Sequence, residues 1–249
     1  MRVKTAVRSS PTLAAMPTLL LVRHGRSTAN TSGLLAGRTP DVRLDEHGAA
    51  QAAALPARLA PLPLAAAVHS PLERCRQTLA PLARARPELP LHVEERINEC
   101  DYGEWTGRKL AELNDEPLMA GVQQHPSAVS FPGGETMRGM QARAVEAVRD
   151  WNERIEREHG ADATYLMCSH GDIIKALVAD ALGMHLDLFQ RVHVEPCSIT
   201  AIRYTPLRPF LLRLGDTGDL ASLAPREEDA GGGVPRAGGD GTAAVGGGA

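Results

Sequence analysis

Short apolar runs that end in polar or charged residues recur three times along the chain. The first, TLLLV at 18–22, is followed by an arginine, a histidine and a glycine. The second, AAAV at 65–68, and the third, ATYLMC at 163–168, each precede a segment with helical spacing of apolar residues. Short apolar runs bounded by turn residues are typical of buried strands. Strands that alternate with helices predict an α/β fold, a three-layer α/β/α arrangement around a mainly parallel sheet.

Two of these strands lead into predicted helices with recognisable ends. After the second run, Ser70 has the character of an N-cap, Pro71 suits the first helical position and Glu73 would complete a capping box. After the third run, a tight Ser-His-Gly turn is followed by a helix that we expect to end at Gly183.

Three further segments complete the expected layers. Residues 45–60 predict a helix capped by Asp45 and kinked or split at Pro56. Alternation at 197–205 predicts a strand with one solvated face, and we expect one antiparallel strand in the sheet. Residues 135–158 predict a long amphipathic helix, with its apolar positions at Met140, Ala144, Val148, Trp151 and Ile155.

One domain over residues 17–215 is the expected organisation. Within it, residues 107–134 hold Pro, Gly, Asn and Gln and predict an irregular insertion or lid. Residues 1–16 contain no continuous apolar run, which predicts a disordered N-terminal extension rather than a cleavable secretory signal. Residues 216–249 become rich in Gly and Ala without periodicity and predict a disordered tail.

Composition and charge narrow the class of protein. Hydrophobic residues make up 43% of the chain but aromatic ones only 3%, so the core must consist mainly of Ala, Leu and Val. The formal net charge of -3 argues against nucleic acid and anionic membrane as partners. No apolar run reaches the roughly 18–20 residues that span a bilayer. We therefore expect a cytoplasmic protein that binds a small molecule, with a homodimer left open.

Cysteines and histidines show no metal-binding spacing. The four cysteines form no C-x-x-C pair, as expected for a reduced intracellular chain. A redox role stays open for Cys75, which lies between two arginines that could lower its thiol pKa. No H-x-x-x-H pair supports a metal site at His24 or His170, so we expect neither a metal nor a cofactor.

Cationic and titratable groups at the three strand ends are the candidate chemistry. Arg23 and His24 follow the first strand, Arg74 lies in the first turn after the second, and His170 follows the third. Ligands of such sheets bind beyond the carboxyl ends of the strands, where these four groups can meet. Guanidinium groups bind phosphate oxygens, and a neutral imidazole beside them can attack phosphorus. Each group alone could equally be a structural histidine or a solvated arginine, but their coincidence predicts an anion-binding enzyme.

Five separated motifs resemble, in order, those of the histidine phosphatase superfamily, whose members include cofactor-dependent phosphoglycerate mutases and many broad phosphatases. The resemblance covers about residues 18–205 and implies a phosphoglycerate mutase-like fold. Its motifs are RHG at 23–25, SPLERCRQT at 70–78, NECDYGEWTG at 98–107, FPGGET at 131–136 and SHGD at 169–172.

The resemblance implies catalytic and phosphate-binding roles. His24 would be the nucleophile that becomes phosphohistidine, and Glu99 falls where the family keeps its proton donor. Arg23, Arg74 and His170 would hold the phosphoryl oxygens, with His170 also part of the catalytic set. No metal would be needed, because these cationic groups supply the charge.

The resemblance also implies a wider set of contacts around the substrate. Asn30 and Gly171 would contribute to phosphate binding. Gly37, Arg38 and Ser27 would belong to a substrate loop.

Phosphatase and mutase share the phosphohistidine, and two features favour the phosphatase. A mutase needs extra cations for a second phosphate, but the insertion carries no lysine or arginine after Arg108 and Lys109. Asp172 stands where mutases tend to have asparagine and would repel a second phosphate, although it also suits the first turn of a helix. We expect hydrolysis of a small phosphorylated metabolite. A cofactor-dependent phosphoglycerate mutase and a catalytically weak phospho-ligand-binding module are the alternatives.

Overall fold

The computed structural model describes residues 16–218. The predicted extension before residue 16 and the predicted tail beyond residue 218 lie outside the described residues. The strands are β1 (Thr18–Arg23), β2 (Leu64–His69), β3 (Leu91–Val93), β4 (Thr164–Ser169), β5 (Ile199–Arg203) and β6 (Phe210–Asp216). Within the described range these six strands form one sheet in the order β3-β2-β4-β1-β5-β6.

Helices occupy most of the chain between the strands. Short 3-10 helices cover Glu95–Ile97, Gly103–Trp105, Pro126–Ala128 and Leu186–Arg191. The α-helices are α1 (Thr28–Thr31), α2 (Glu46–Arg58), α3 (Glu73–Ala85), α4 (Leu110–Leu113), α5 (Pro117–Gln124), α6 (Met137–His159) and α7 (Gly171–Ala181).

Strand directions confirm the mainly parallel sheet. β1, β2, β3 and β4 run parallel to one another, whereas β5 is antiparallel to both β1 and β6. β5 is thus the one strand of residues 16–218 that runs against the others, as expected. The edge strand β6 was not predicted, and it extends one residue past the expected domain end at 215. Three of its four large apolar residues, Phe210, Leu212 and Leu214, are exposed, so it lacks the continuous apolar burial that marks the other predicted strands.

Two helical layers cover the sheet and confirm the three-layer fold. Leu19 and Leu21 of β1 belong to one core cluster, which they share with buried residues of α6 and α7. Leu20 and Val22 face the other way, into a cluster with residues of α2 and α3. Successive residues of β1 are therefore buried on opposite faces, which explains its continuous apolar sequence.

The start of α3 differs from the prediction. The helix begins at Glu73, and its N-cap is Leu72, whose side chain makes no capping hydrogen bond. The expected capping box of Ser70 and Glu73 is therefore wrong. The Ser70 hydroxyl lies instead 2.7 Å from Nε2 of His170, because the end of β2 places it in the interior beside that ring.

The N-cap predicted for α2 is confirmed and the helix continues through Pro56, whereas one prediction about β5 is wrong. Asp45 caps α2 by accepting a hydrogen bond from the Gly48 amide at 2.7 Å, but the helix is not split at Pro56. This proline lies in the last turn, where its missing amide removes only one hydrogen bond near the helix end. In β5, the consecutive residues Thr200 and Ala201 are both buried, so the expectation of one solvated face is wrong. β5 lies between β1 and β6, and its residues Ile202 and Ala201 belong to the core clusters on opposite faces of the sheet.

The insertion at 107–134 is more regular than expected. It holds α4, α5 and a 3-10 helix, and its apolar residues Leu113 and Val122 are fully buried in the larger core cluster. Among residues 16–218, no helix has both the length and the apolar character needed to cross a membrane.

Candidate active site

His24 follows β1 directly and carries its proton on a defined nitrogen. Its Nδ1 lies 2.8 Å from the carbonyl oxygen of Gly25, which can only accept, so Nδ1 donates and Nε2 keeps a free electron pair. Burial, followed by the positive charges of Arg74 and Arg23, lowers the pKa of His24 well below its ordinary value. His24 is therefore a neutral imidazole with one unprotonated nitrogen, the state that nucleophilic attack requires.

Gly25 allows the chain after β1 to pass directly against two helices. A Cβ at this position would lie 2.7 Å from the carbonyl oxygen of Gly48 in α2, closer than such atoms can approach. The Gly25 amide donates to Oγ1 of Thr78 in α3 at 2.9 Å. The residue after His24 is therefore held between α2 and α3, and glycine is required by close packing rather than by a positive φ.

Arg23 and Arg74 are both buried and close enough to depress the pKa of His24. Nη1 of Arg23 donates to the carbonyl oxygen of Val194 at 2.8 Å, and Nη2 of Arg74 donates to that of Gly37 at 2.8 Å. Nε and Nη1 of Arg74 have no hydrogen-bond partner among residues 16–218. Burial lowers the pKa of Arg23, but a guanidinium stays charged in proteins. The pair concentrates positive charge suited to a phosphate.

His170 lies between β4 and α7, with its ring centroid 5.3 Å from that of His24. Its Nε2 is 2.7 Å from Oγ of Ser70 and 3.6 Å from Sγ of Cys75. When the Ser70 hydroxyl donates to Nε2, the ring proton stays on Nδ1. Burial, then the charges of Arg74 and of His24, lowers the pKa of His170 well below its ordinary value. In that tautomer His170 offers an N–H donor, and its lowered pKa opposes the positive charge that the resemblance implied for it.

Glu99 is a buried carboxyl on the segment that follows β3. Its Oε1 accepts a hydrogen bond from the Cys100 amide at 2.9 Å, and its Oε2 lies 3.9 Å from Nδ1 of His170. Burial, and then the negative charge of Asp172, raises the pKa of Glu99 to about 7, against the opposing effect of the nearby arginines. A carboxyl with this pKa can both release and accept a proton near neutral pH.

Asp172 lies in the first turn of α7, is fully buried, and has a hydrogen-bond donor and a cation close to its carboxylate. Its Oδ2 accepts a hydrogen bond from the Tyr102 hydroxyl at 2.7 Å, and its Oδ1 lies 3.9 Å from Nζ of Lys175. Lys175 in turn donates to Gln190 at 3.2 Å. The negative charge of Asp172 also helps to raise the pKa of Glu99, a relationship that the sequence did not reveal.

Ser27 and Asn30 form a capping box around the short helix α1. Oδ1 of Asn30 accepts from the Ser27 amide at 2.9 Å and from its hydroxyl at 2.8 Å. Gly171 is the buried first residue of α7, directly after His170. Contacts of these residues with phosphate or substrate stay predictions.

The predicted substrate loop is hydrogen-bonded both to Arg74 and to the backbone of Glu99. The Gly37 carbonyl accepts from Arg74, and Nε of Arg38 donates to the carbonyl oxygen of Glu99 at 2.9 Å. Residues 131–136 supply a further partner of this loop, because Nη2 of Arg38 donates to Oε1 of Glu135 at 3.1 Å. Ser70 and Glu135 both fall in quoted motifs, which was the one sequence signal that pointed to them.

Cysteine and metal chemistry find little support around the site. All four cysteines are free thiols and buried, Cys75 included. Burial raises the pKa of Cys197 to about 12 and that of Cys168 well above its ordinary value. Within the described part of the chain, no group of three or more His, Cys, Asp or Glu side chains is arranged to hold a metal ion.

The fold and these residues agree with one protein family. The family model for the histidine phosphatase superfamily (branch 1) matches residues 19–217, and the chain belongs to this superfamily.

Individual relatives in the family include phosphatases and mutases. Over 187 residues the chain is 37% identical to the adenosylcobalamin/alpha-ribazole phosphatase of Salmonella typhimurium, covering 74% of this chain and 89% of that protein. Over 193 residues it is 30% identical to the 2,3-bisphosphoglycerate-dependent phosphoglycerate mutase 2 of Gloeobacter violaceus, covering 76% and 86%. The solved structure of Bacillus stearothermophilus YhfR superposes with a TM-score of 0.71 at 28% identity, covering 80% of this chain and 97% of that one.

Proposed function

We propose that the protein is a phosphoric monoester hydrolase that works through a phosphohistidine on His24. The observation that carries this proposal is the pairing of a neutral imidazole with a nearby carboxyl of raised pKa. His24 has an unprotonated Nε2, and the pKa of Glu99 is raised to about 7 in the same buried cluster. A nucleophile and a general acid with these proton states suit phosphoryl transfer near neutral pH.

In the first step, Nε2 of His24 attacks phosphorus, so that a phosphorus–nitrogen bond forms while the bond to the leaving oxygen breaks. Glu99 gives its proton to that oxygen, because an alkoxide is a poor leaving group. Arg23, Arg74 and the Nδ1–H of His170 stabilise charge on the other phosphoryl oxygens.

In the second step, water replaces the imidazole. Glu99 is now ionised and takes a proton from the water that attacks phosphohistidine. Inorganic phosphate leaves, and His24 and Glu99 return to their starting proton states.

Ion pairs in the insertion support hydrolysis over mutase activity. Nη1 of Arg108 lies 2.6 Å from Oε1 of Glu116, and Nζ of Lys109 lies 4.0 Å from Oε1 of Glu112. The only two basic side chains at the start of this insertion therefore each face an acid of the same insertion. A mutase would use such cations for the second phosphate of its cofactor. The similarity to a phosphatase that is 37% identical also supports a small phosphorylated metabolite as substrate.

Phosphate release from a panel of phosphomonoesters, with and without 2,3-bisphosphoglycerate, tests this function. We expect release that does not depend on the bisphosphate. Interconversion of phosphoglycerates only when the bisphosphate is present would identify a mutase. Binding of phosphomonoesters without turnover would identify a ligand-binding module. The cytoplasmic location and a homodimer stay predictions from the sequence.

A further inference from the structure

The segment that carries Glu99 has little regular structure of its own. A 3-10 helix ends at Ile97 and the next begins at Gly103, so Glu99 lies in the irregular stretch between them. Proton transfer to a leaving group requires a carboxyl placed within hydrogen-bond distance of the leaving oxygen. Contacts from other segments of the chain must therefore hold its backbone in position.

Two arginines converge on the carbonyl oxygen of Glu99. Nε of Arg38 donates to it at 2.9 Å, and Nη2 of Arg143 donates to it at 3.1 Å. Nη1 of Arg143 also donates to the carbonyl oxygens of Arg96 at 2.6 Å and Asn98 at 2.8 Å. One guanidinium thus binds three carbonyl oxygens within four residues of chain, ending at the acid.

Glu135 joins the two arginines and reaches the other side of Glu99. Its Oε1 accepts from Nη2 of Arg143 at 2.6 Å and from Nη2 of Arg38 at 3.1 Å, while its Oε2 accepts from Nε of Arg143 at 3.0 Å. The amide of Asp101 also donates to Oε1 at 2.9 Å. The chain is therefore held both before and after Glu99 by the same carboxylate–arginine pair.

The anchor for these contacts is the start of α6. Arg143 lies on this helix, whose residues Met137 and Met140 are fully buried in the larger core cluster. Burial opposes ionisation of Glu135, but the hydrogen bonds from Arg143 and Asp101 outweigh it and lower the pKa of this carboxyl. Bidentate pairs of this kind are geometrically specific.

We propose that Glu135, Arg143 and Arg38 are positioning residues that hold Glu99 in place for proton transfer to the leaving group. The proposal rests on the proposed function. It assigns these three side chains no contact with the phosphate. Their substitution should therefore slow the hydrolysis of substrates whose leaving group needs a proton, and should leave phosphate binding unchanged.

Leaving-group dependence separates this role from a general structural one. The substrates are phosphoserine, whose alkoxide needs a proton, and 4-nitrophenyl phosphate, whose phenolate leaves readily. For Glu135→Gln and Arg143→Lys, we expect kcat/KM to fall roughly ten- to hundredfold with phosphoserine and no more than about threefold with 4-nitrophenyl phosphate. Arg38 is half-exposed, so Arg38→Met should cost little stability. We expect it also to lower kcat/KM more for phosphoserine than for 4-nitrophenyl phosphate. Equal losses, or none, would overturn the proposal.

A matched control lies on the same helix and the same segment. Oδ2 of Asp150 in α6 is 2.6 Å from Nη1 of Arg96, so Asp150→Asn also removes an arginine–carboxylate contact between α6 and this segment. It does not touch the carbonyl of Glu99, and we expect both substrates to be hydrolysed as by the unaltered protein.

Amide hydrogen exchange tests the contacts without relying on turnover. Peptides that cover residues 96–101 should exchange roughly tenfold faster in Glu135→Gln, while those of β4 should not change. Unchanged exchange at 96–101 would refute the proposal even if activity falls. If the unaltered protein hydrolysed no phosphomonoester of the panel, the proposed function would fail, and the exchange result alone would then decide whether these residues hold Glu99.

Discussion

Nδ1 of His170 and Oε2 of Glu99 lie 3.9 Å apart, and both side chains are buried. Burial acts on them in opposite chemical senses: it lowers the pKa of the imidazole and raises the pKa of the carboxyl. Below about pH 7 both groups are consequently neutral, and each can donate a hydrogen bond. Their proximity places the N–H that we propose to bind phosphate next to the group that would protonate the leaving oxygen.

The pH dependence of catalysis should follow the proton of Glu99. With phosphoserine, we expect kcat/KM to fall as the pH rises through about 7, because Glu99 then loses the proton that the leaving group needs. His24 should not limit activity until much lower pH, since its pKa is well below the ordinary value.

Asp172→Asn should move the fall in kcat/KM at high pH, the basic limb of the pH profile, to lower pH. The Asp172 carboxylate opposes ionisation of Glu99, and its removal leaves Arg23 and Arg74 facing Glu99 from β1 and α3. Tyr102→Phe is the control, because it removes a hydrogen bond to Asp172 but keeps the negative charge. Since the substrate's own titration is common to all variants, an unshifted limb in Asp172→Asn would contradict the electrostatic link.

Glu99→Gln should make the protein more stable at alkaline pH while it removes catalysis. A carboxyl with a raised pKa in the folded state contributes stability below its unfolded pKa of 4.5, and that contribution is lost as the pH rises through about 7. Glutamine cannot ionise, so the variant should gain up to roughly 3 kcal/mol relative to the unaltered protein at pH 8, and far less at pH 4. Denaturant unfolding at both pH values measures this difference. An equal effect at the two pH values would argue against a buried, titrating Glu99.

His24→Ala should remove both turnover and covalent labelling. Brief incubation with a 32P-labelled phosphomonoester followed by an alkaline quench should show acid-labile label on the unaltered protein and none on the variant. Inorganic phosphate should still bind to the variant, because Arg23 and Arg74 remain. Acid-labile label that persists on another residue would overturn the assignment of the nucleophile.

Ser70→Ala should lower activity toward all phosphomonoesters. Without the hydroxyl 2.7 Å from Nε2, only the weaker contact with the Cys75 thiol at 3.6 Å remains to favour the His170 tautomer with its proton on Nδ1. We expect kcat/KM to fall roughly tenfold for both leaving groups. Ser198→Ala is a matched control, since Oγ of Ser198 is buried without a hydrogen-bond partner among residues 16–218. If Ser70 mattered only for packing after β2, stability would fall and the catalytic constants would not.

Much of the fold followed from local patterns. The strands at 18–22, 65–68 and 163–168 were predictable because both faces of each are buried, which leaves continuous apolar runs. The edge strand β6 was not, because Phe210, Leu212 and Leu214 are exposed and, of its large apolar residues, Leu211 alone packs against the core.

The gathering of Arg23, His24, Arg74 and His170 could also be foreseen. Carboxyl ends of parallel strands lie at one edge of a sheet, and the structure places these residues there. The start of α3 could not be foreseen, because Ser70 and Glu73 satisfy the capping pattern while burial beside His170 gives the serine a different partner.

The amino-acid sequence by itself determined the layers, the order of the elements and the edge at which the reactive groups meet, because hydrophobic periodicity and parallel connections are properties of the chain. Only the tertiary structure decided how those groups are protonated and held. Glu99 has a pKa of about 7 because distant segments bury it and bring Asp172 near. Its backbone is held by Arg38 and Arg143, which lie 61 and 44 positions away along the chain. Desolvation and contacts between remote residues exist only once the chain has folded.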